Sequence, residues 1–400
     1  MSFFVVRSNK LKKFLKEFDY LLFVTYFLLC VFGVVMVYSA SAMVSVNRYN
    51  APADNFYKKQ LLAVIVGFGA FVLGMLIPYK RYREKWMLKL IAVVNIALLT
   101  LVLVAGYSPP GSGAQSWLRI GGFNFQPSEL LKISLIIYVS AVLAKKYSNG
   151  TIDSIKESLI PISIIIIIPL IFLYKEPDNG AIALITAIMS TIILASGMSF
   201  KRIFKKTNKV FWIGIVLLLS IVYIYRDKLL SKILTEKMAN RIQATWDPYA
   251  FVKEEGLQII NGYYAIALGG VSGSGLGESV QKLGYIPEPH TDFILAIIIE
   301  ELGTLGLLIV VGGLGFIVMR AFVTALRAKD PMIRMMAVGI GSWIGFQTFL
   351  NIGGLSGIIP LTGVTLPFIS YGGTSLVILS FALGILMNIT MYVKRDQNKR

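Results

Sequence analysis

Hydrophobic and polar positions are arranged in long blocks along this chain. Apolar runs of roughly 18 or more residues recur, the length an α-helix needs to cross about 30 Å of hydrocarbon. A membrane β-barrel would instead show alternating segments of about ten residues. The pattern therefore predicts an all-α polytopic membrane protein. Its ten predicted spans are 20–42, 60–78, 87–106, 128–145, 158–174, 179–199, 210–226, 293–319, 335–353 and 374–393.

The basic residues between these runs predict how the chain is oriented. Lysine and arginine concentrate in cytoplasmic loops. The segments that would lie on one side of the membrane hold 25 of the chain's 39 lysine and arginine residues. That set predicts cytoplasmic termini, with a basic N-terminal segment at 1–18 and a tail at 394–400. The membrane domain then covers 19–393, and a large extracellular loop at 227–292 joins the seventh and eighth helices.

Composition narrows the class further. Hydrophobic residues make up 56% of the chain and charged residues 15%, which excludes an ordinary soluble domain. The net charge of +18 needs no nucleic-acid partner, because the orientation signal and attraction to anionic lipid account for it. The single cysteine, Cys30, cannot form an internal disulfide.

Several segments on the predicted outer side depart from regular apolar helix. Residues 107–127 contain paired prolines and an amphipathic piece that begins at Trp117. The pattern at 227–242 predicts an amphipathic helix that lies at the membrane interface. Residues 353–374 are apolar but rich in glycine and proline. Irregular backbone at membrane depth is tolerated only when it is buried in protein or lines a wet cavity. No internal repeat is visible, which weakens an inverted-repeat transporter reading.

Charges at the edges of spans are costly and are candidates for function. Glu129 and Lys132 are three residues apart, so they share a helix face and are expected to pair. The pair could lock a helix into the bundle or lie near a substrate entrance. Asp178 could cap the next helix or belong to a site, and Arg241 could bind a phosphate or reach lipid headgroups.

The densest group of ionisable residues lies at the end of the large loop. Pro287 to Asp292 contains Glu288 and the only histidine, His290, immediately before the eighth span. Asp292 could simply be a carboxylate favoured by a helix N-terminus, but its crowded setting favours chemistry. Glu300 and Glu301 follow about two helical turns deeper.

Several reaction classes lack their motifs. The chain has no Walker A sequence, no H-E-x-x-H, no second histidine or cysteine for zinc, and no G-x-S-x-G elbow. Catalysis would therefore depend on carboxylates and cations of the outer face, with a hard divalent metal as an option.

Six motifs in order resemble the SEDS family of bacterial cell-wall glycosyltransferases, the FtsW/RodA/SpoVE proteins. The segment Gly363–Pro367 and the run from Lys282 to Pro287 are similar to the cell-division branch. Leu257 and Leu295 depart from the family pattern, where tyrosine and phenylalanine are commoner. The six motifs are Gln126–Lys132, Pro177–Gly180, Gly256–Gln258, Pro287–Ile294, Glu300–Gly303 and Pro360–Ser375.

The resemblance implies a polymerase of lipid II at the outer face of the bacterial cytoplasmic membrane, acting at the division septum. Such an enzyme releases undecaprenyl pyrophosphate and works with a class B penicillin-binding protein and other divisome membrane proteins. The family's essential aspartate falls on Asp292. We expect Asp292 to act as general base, or to hold Mg²⁺ or Mn²⁺ for the same purpose. No tightly bound cofactor is predicted.

Other residues are candidates for binding substrate. The pyrophosphate candidates, in falling order, are Arg241, Arg119 and Lys132. The remaining candidates are Glu129, Asp178, His290, Glu288 and Ser370. A lipid II flippase, an elongation-type polymerase and a non-catalytic scaffold are the alternatives. The acids at 129, 178 and 292 lie on the outer face rather than along a midplane route, which favours outer-leaflet chemistry over a flippase.

Overall fold

The computed structural model describes residues 16–108, 115–121, 123–199, 236–252 and 255–398. Apart from one short hairpin, the regular structure in these ranges is helical. The helices are α1 (Tyr20–Tyr49), α2 (Asn55–Leu76), α3 (Lys85–Ala105), α4 (Pro127–Ser148), α5 (Ile160–Lys175), α6 (Asn179–Ala195), α7 (Glu236–Trp246), α8 (Glu255–Gly269), α9 (Ile294–Arg327), α10 (Pro331–Leu355) and α11 (Gly373–Gln397).

The prediction of a polytopic helical membrane protein is confirmed. Within the described ranges, eight helical stretches are long and apolar enough to cross a membrane, and α6 is a shorter apolar helix. These nine coincide with nine of the ten predicted spans, while the predicted span 210–226 lies outside the described residues. Several helices extend beyond their predicted spans. Helix α1, predicted over 20–42, continues to Tyr49.

Local chemistry sets where the helices begin. The carboxylates of Asp19, Asp178 and Asp330 cap α1, α6 and α10 by accepting backbone N–H groups of the first turn. Pro127 and Pro331 occupy first-turn positions, where a missing N–H costs nothing.

The helices differ in how far they are enclosed. The apolar stretch of α4 is 83% buried and that of α3 is 17% buried, so α4 is central and α3 peripheral. Helices α2 and α11 cross closely because glycines face the contact. A Cβ at Gly384 would lie 2.1 Å from the Phe71 carbonyl oxygen, which only glycine permits.

The segment predicted as an amphipathic piece after Trp117 is a small hairpin. Strands β1 (Leu118–Ile120) and β2 (Phe123–Phe125) pair antiparallel, with Leu118 opposite Phe125. The Thr374 hydroxyl donates to the Asn124 carbonyl at 2.6 Å and attaches the hairpin to the start of α11.

The predicted span at 293–319 corresponds to helix α9, which has an interruption that the sequence analysis did not predict. Helix α9 is broken at Gly303, whose φ of 61° and ψ of −149° are non-helical and suit glycine alone. A Cβ there would lie 2.3 Å from the Val271 carbonyl oxygen, because the outer loop crosses the helix at this point.

The glycine- and proline-rich segment is irregular, as predicted. No regular helix lies between Leu355 and Gly373, and Leu366, Phe368 and Ile369 are buried. Gly33 of α1 lets this backbone approach closely, since a Cβ there would lie 2.8 Å from the Phe368 carbonyl oxygen. The part of the segment at 366–370 is therefore enclosed in protein, whereas Ile358 is exposed.

Candidate active site

The segments predicted to be extracellular meet at one end of the bundle, which we call the outer end. The loop 286–293 leads into α9 and is fastened to the glycine- and proline-rich segment. The backbone N–H of Tyr371 donates to the His290 carbonyl at 2.9 Å. The Asn351 amide donates to the carbonyls of Asp292, at 2.8 Å, and Val364, at 2.9 Å. The Asn351 side chain thus joins the backbone of Asp292 to the glycine- and proline-rich segment.

The Asp292 side chain is only partly buried. One carboxylate oxygen accepts the Thr291 hydroxyl at 2.9 Å. A partly accessible carboxylate on a fixed backbone can meet a substrate hydroxyl without a large rearrangement, which is the geometry that a general base requires.

Glu288 lies beside Asp292 and is held by the end of α1. Its carboxylate accepts Arg48 at 2.9 Å and the Tyr49 hydroxyl at 3.2 Å. Burial raises the pKa of Glu288, the Arg48 charge opposes that rise, and the Asp292 charge adds to it. Asp292 is therefore close enough to Glu288 for its charge to affect the pKa of Glu288.

His290 is enclosed rather than presented to solvent. Its ring is 1% exposed and packs against Phe56, at a centroid distance of 4.3 Å, and Tyr371, at 5.5 Å. Burial, with the nearby Arg48 charge, lowers its pKa to about 4, so the imidazole is neutral at pH 7. The structure places His290 as packing beneath the Asp292 loop, and its predicted contact with substrate stays a prediction.

A second polar group lies inside the bundle at the outer end. The expected contact forms, with Lys132 Nζ 2.7 Å from the Glu129 carboxylate and both side chains buried. The Ser375 hydroxyl donates to Glu129 at 3.2 Å, and Lys132 lies 5.1 Å from the Trp343 ring centroid. Lys132 is therefore engaged with protein groups on both sides.

Asp178 adjoins this pair. It caps α6 by accepting Ala181 N–H at 3.0 Å, and it also accepts from Gln126 and Ser128, each at 3.2 Å. Burial raises the pKa of Asp178, while the hydrogen bonds from Ala181 and Ser128 and the Lys132 charge oppose the rise. The capping role considered from the sequence is therefore present, and a role of Asp178 in a substrate site stays a prediction.

Glu176 completes the cluster in an unusual way. It is 1% exposed, and neither of its carboxylate oxygens has a hydrogen-bond partner within the described residues. Burial, followed by the Asp178 charge, raises its pKa to about 8. Glu176 is therefore mostly protonated at neutral pH.

The remaining predicted residues belong to other segments than the Asp292 loop. Arg119 is exposed on β1, with its guanidinium 4.9 Å from the Tyr107 ring centroid. Arg241 lies on α7, which packs against α8. Ser370 is buried, and its hydroxyl accepts the Leu366 N–H at 2.8 Å within a turn.

Sequence reasoning missed Arg48 and Asn351. Arg48 lies beyond the predicted end of the first span, and Asn351 lies inside an apolar run where its polarity was the only signal. Among the described residues, no group of three or more histidine, cysteine, aspartate or glutamate side chains could hold a metal ion.

Fold and site together define a polytopic membrane protein with carboxylates gathered at one end of its helix bundle. The chain belongs to the FtsW/RodA/SpoVE family, described as cell cycle proteins, whose family model matches residues 19–395.

Similar proteins extend over nearly the whole chain. A relative from Bacillus subtilis, "Probable peptidoglycan glycosyltransferase FtsW", is 45% identical over 98% of this chain and 94% of its own length. A relative of the same name from Trichlorobacter lovleyi is 37% identical, with 95% of each chain covered.

Two solved structures share the fold at 22% sequence identity. A chain from "Structural coordination of polymerization and crosslinking by a peptidoglycan synthase complex" superposes with a TM-score of 0.72, covering 96% of this chain and 99% of that one. The rod shape determining protein RodA of Thermus thermophilus gives 0.63, covering 93% and 96%.

Proposed function

We propose that this protein is a peptidoglycan glycosyltransferase that polymerises lipid II into glycan strands and releases undecaprenyl pyrophosphate. The observation that carries the proposal is Asp292, a partly accessible carboxylate whose backbone is held by Asn351 at the outer end. The names of relatives that match nearly the whole chain support the same reaction.

Asp292 is assigned the role of general base. The 4-hydroxyl of one sugar loses its proton as it attacks the anomeric carbon of the other, and Asp292 accepts that proton. Attack on an α-linked donor to give a β-linked product inverts the anomeric centre in one displacement. No covalent nucleophile is then needed.

The leaving pyrophosphate needs cationic partners. Arg241 and Arg119 are proposed to bind the leaving pyrophosphate, because a planar guanidinium group can donate two hydrogen bonds to phosphate oxygens. Lys132 is the weaker candidate, because Glu129 and Trp343 already surround its ammonium group.

A divalent cation, Mg²⁺ or Mn²⁺, fits this donor set only as an ion shared with the substrate. The described residues offer no cluster of three ligands, but Mg²⁺ is commonly held by one or two carboxylates and substrate phosphates. Asp292, with Glu288 beside it, would supply the protein's share. When bound, such an ion would neutralise charge on the pyrophosphate.

We also propose the setting of the reaction. The active site faces the outside of the cytoplasmic membrane at the division septum, and a class B penicillin-binding protein crosslinks the product. The motif resemblance to the cell-division branch supports septal wall synthesis, as do the relatives named FtsW.

The test uses purified protein in detergent with its transpeptidase partner, lipid II and a divalent cation. We expect wild-type protein to form glycan polymer on a gel and Asp292→Ala to form none, with both equally folded. Glu278→Ala, which changes an exposed glutamate of the same outer loop, is the matched control and should polymerise normally.

The same samples separate the alternatives. Reconstituted in vesicles, a flippase would move labelled lipid II between leaflets without forming polymer. A scaffold would do neither. Either result, with an active control polymerase present, would overturn the proposal.

A further inference from the structure

Two buried carboxylates lie on α9 at the point where the helix breaks, and they are not assigned to any step above. Glu300 and Glu301 are each 1% exposed. Charged side chains at such depth are costly unless their oxygens are satisfied. The partners that satisfy them show what the pair does.

Glu300 holds the outer loop by its side chain. Its carboxylate accepts the Ser279 hydroxyl at 2.5 Å, the Val280 N–H at 2.8 Å and the Gln281 N–H at 3.3 Å. These donors open the short 3₁₀ turn Gln281–Leu283. The carboxylate therefore caps a turn that belongs to a different part of the chain.

The helix break adds backbone contacts to the same loop. Because Gly303 leaves the helical conformation, the Glu300 carbonyl accepts the Ser274 N–H at 2.9 Å, and the Glu301 carbonyl accepts the Gly275 N–H at 3.0 Å. In return, the Thr304 N–H donates to the Val271 carbonyl at 3.1 Å. The loop is thus hydrogen-bonded to the gap in the helix.

Glu301 ties this joint to α1. Lys282 Nζ lies 2.7 Å from its carboxylate, and the Ser39 hydroxyl donates to it at 2.6 Å. Lys282 also donates to Ser39 at 3.0 Å and to the Gly277 carbonyl at 2.7 Å. The Lys282 and Glu301 side chains are 7% and 0% exposed, so this ion pair is internal and fully partnered.

A short path leads from this joint to Asp292. The Gln281 carbonyl accepts the Ile286 N–H at 3.1 Å, and the Asn261 amide donates to the Tyr285 carbonyl at 2.7 Å. Residue 286 begins the loop that carries Asp292. Asp292 lies two residues before the start of α9, the helix that bears Glu300.

We propose that Glu300 is a positioning residue for Asp292, supported by the Lys282–Glu301 ion pair. Glu300 fixes the outer loop against the break in α9 and so closes the chain from Val280 to Glu300 into one unit whose middle part carries the partly buried Asp292. The proposal rests on the function proposed for Asp292. A displacement of about 1 Å in a reacting group can lower a rate by about 100-fold.

The test compares Glu300→Ala, Glu300→Gln and the control Glu278→Ala in the complex with the transpeptidase. We expect Glu300→Ala to speed amide hydrogen exchange in residues 271–286 and to lower kcat by about 100-fold, with little change in KM for lipid II. Glu300→Gln keeps an oxygen for the Val280 and Gln281 N–H groups, so it should retain most of both properties. The control should match wild type.

A milder variant covers the case in which Glu300→Ala does not fold. Ser279→Ala removes one donor to Glu300 and should give smaller changes of the same sign in exchange and kcat. Unchanged exchange in 271–286 would overturn the proposal, as would faster exchange with an unchanged kcat. If Asp292→Ala itself polymerises lipid II, the function assigned to Asp292 is wrong. The exchange data would still test separately whether Glu300 holds the outer loop.

Discussion

The two ends of the helix bundle use their charges differently. At the predicted cytoplasmic end, acids meet bases on neighbouring elements, both where the acid is partly exposed, as in the Arg83–Asp330 pair, and where it is buried, as in the Arg320–Asp19 pair. At the outer end, Glu129, Glu300 and Glu301 are buried, and Glu176 is left without a hydrogen-bond partner among the described residues. Exposed pairs contribute little to stability, whereas buried and perturbed groups are typical of functional sites.

The inner charges therefore join neighbouring elements, and we infer that the outer charges include groups that act in the reaction. Keeping acids inside a low-dielectric bundle lowers stability unless each is compensated. At the outer end, the Glu176 carboxyl has no such compensation among the described residues.

The largest effect on stability is expected at the buried Glu129–Lys132 pair. Lys132→Met leaves Glu129 charged and enclosed, which should lower the free energy of unfolding by about 3–5 kcal/mol. Adding Glu129→Gln removes the stranded charge and should restore much of the loss. Thermal unfolding in detergent measures both, with Lys58→Met, from a largely exposed pair, as the control. Equal losses in the single and double variants would contradict the account.

A pH-dependent effect is expected at Glu176. Its pKa is about 8 in the folded protein and 4.5 in the reference state, so its contribution to stability is fully present below pH 4.5 and is lost as pH rises through about 8. Glu176→Gln cannot ionise. It should therefore unfold at a higher temperature than wild type above pH 8 and at a similar one near pH 4.5.

His290 acts in the opposite direction. Its lowered pKa makes stability fall as pH drops from 6.5 towards about 4. Wild type and Glu176→Gln share the contribution of His290, so the difference between their unfolding temperatures at each pH reports on Glu176 alone. A difference that does not change with pH would show that Glu176 is ionised in the folded state.

The smallest effect is expected at the inner end. Arg83→Ala removes a pair whose side chains are 42% and 23% exposed, so the cost should stay within about 1 kcal/mol. Polymerisation should be unchanged. A large loss of activity at normal stability would break the contrast between the ends.

Structural features that depend on residues close together in the chain could be predicted from the sequence. Apolar length located nine of the spans, and the spacing of Glu129 and Lys132 located their contact. The capping role of Asp178 is equally local.

Contacts between distant residues were not predictable in the same way. Lys282 meets Ser39 across 243 positions, and the break at Gly303 is explained only by the Val271 carbonyl that crosses it. Glycine is common in membrane helices, so Gly303 alone gave no signal. The strands of the hairpin at Leu118–Phe125 are three residues each, too short for an alternating pattern to show.

The central claim is tested most directly by comparing Asp292→Asn at the outer end with Asp330→Asn at the inner end. Polymerisation rate and unfolding temperature would be measured on the same preparations. The account predicts that Asp292→Asn lowers the rate by at least about 100-fold with an unchanged unfolding temperature. Asp330→Asn should keep the rate and slightly lower the unfolding temperature. Full polymerisation by Asp292→Asn, or its loss in Asp330→Asn at normal stability, would contradict the claim.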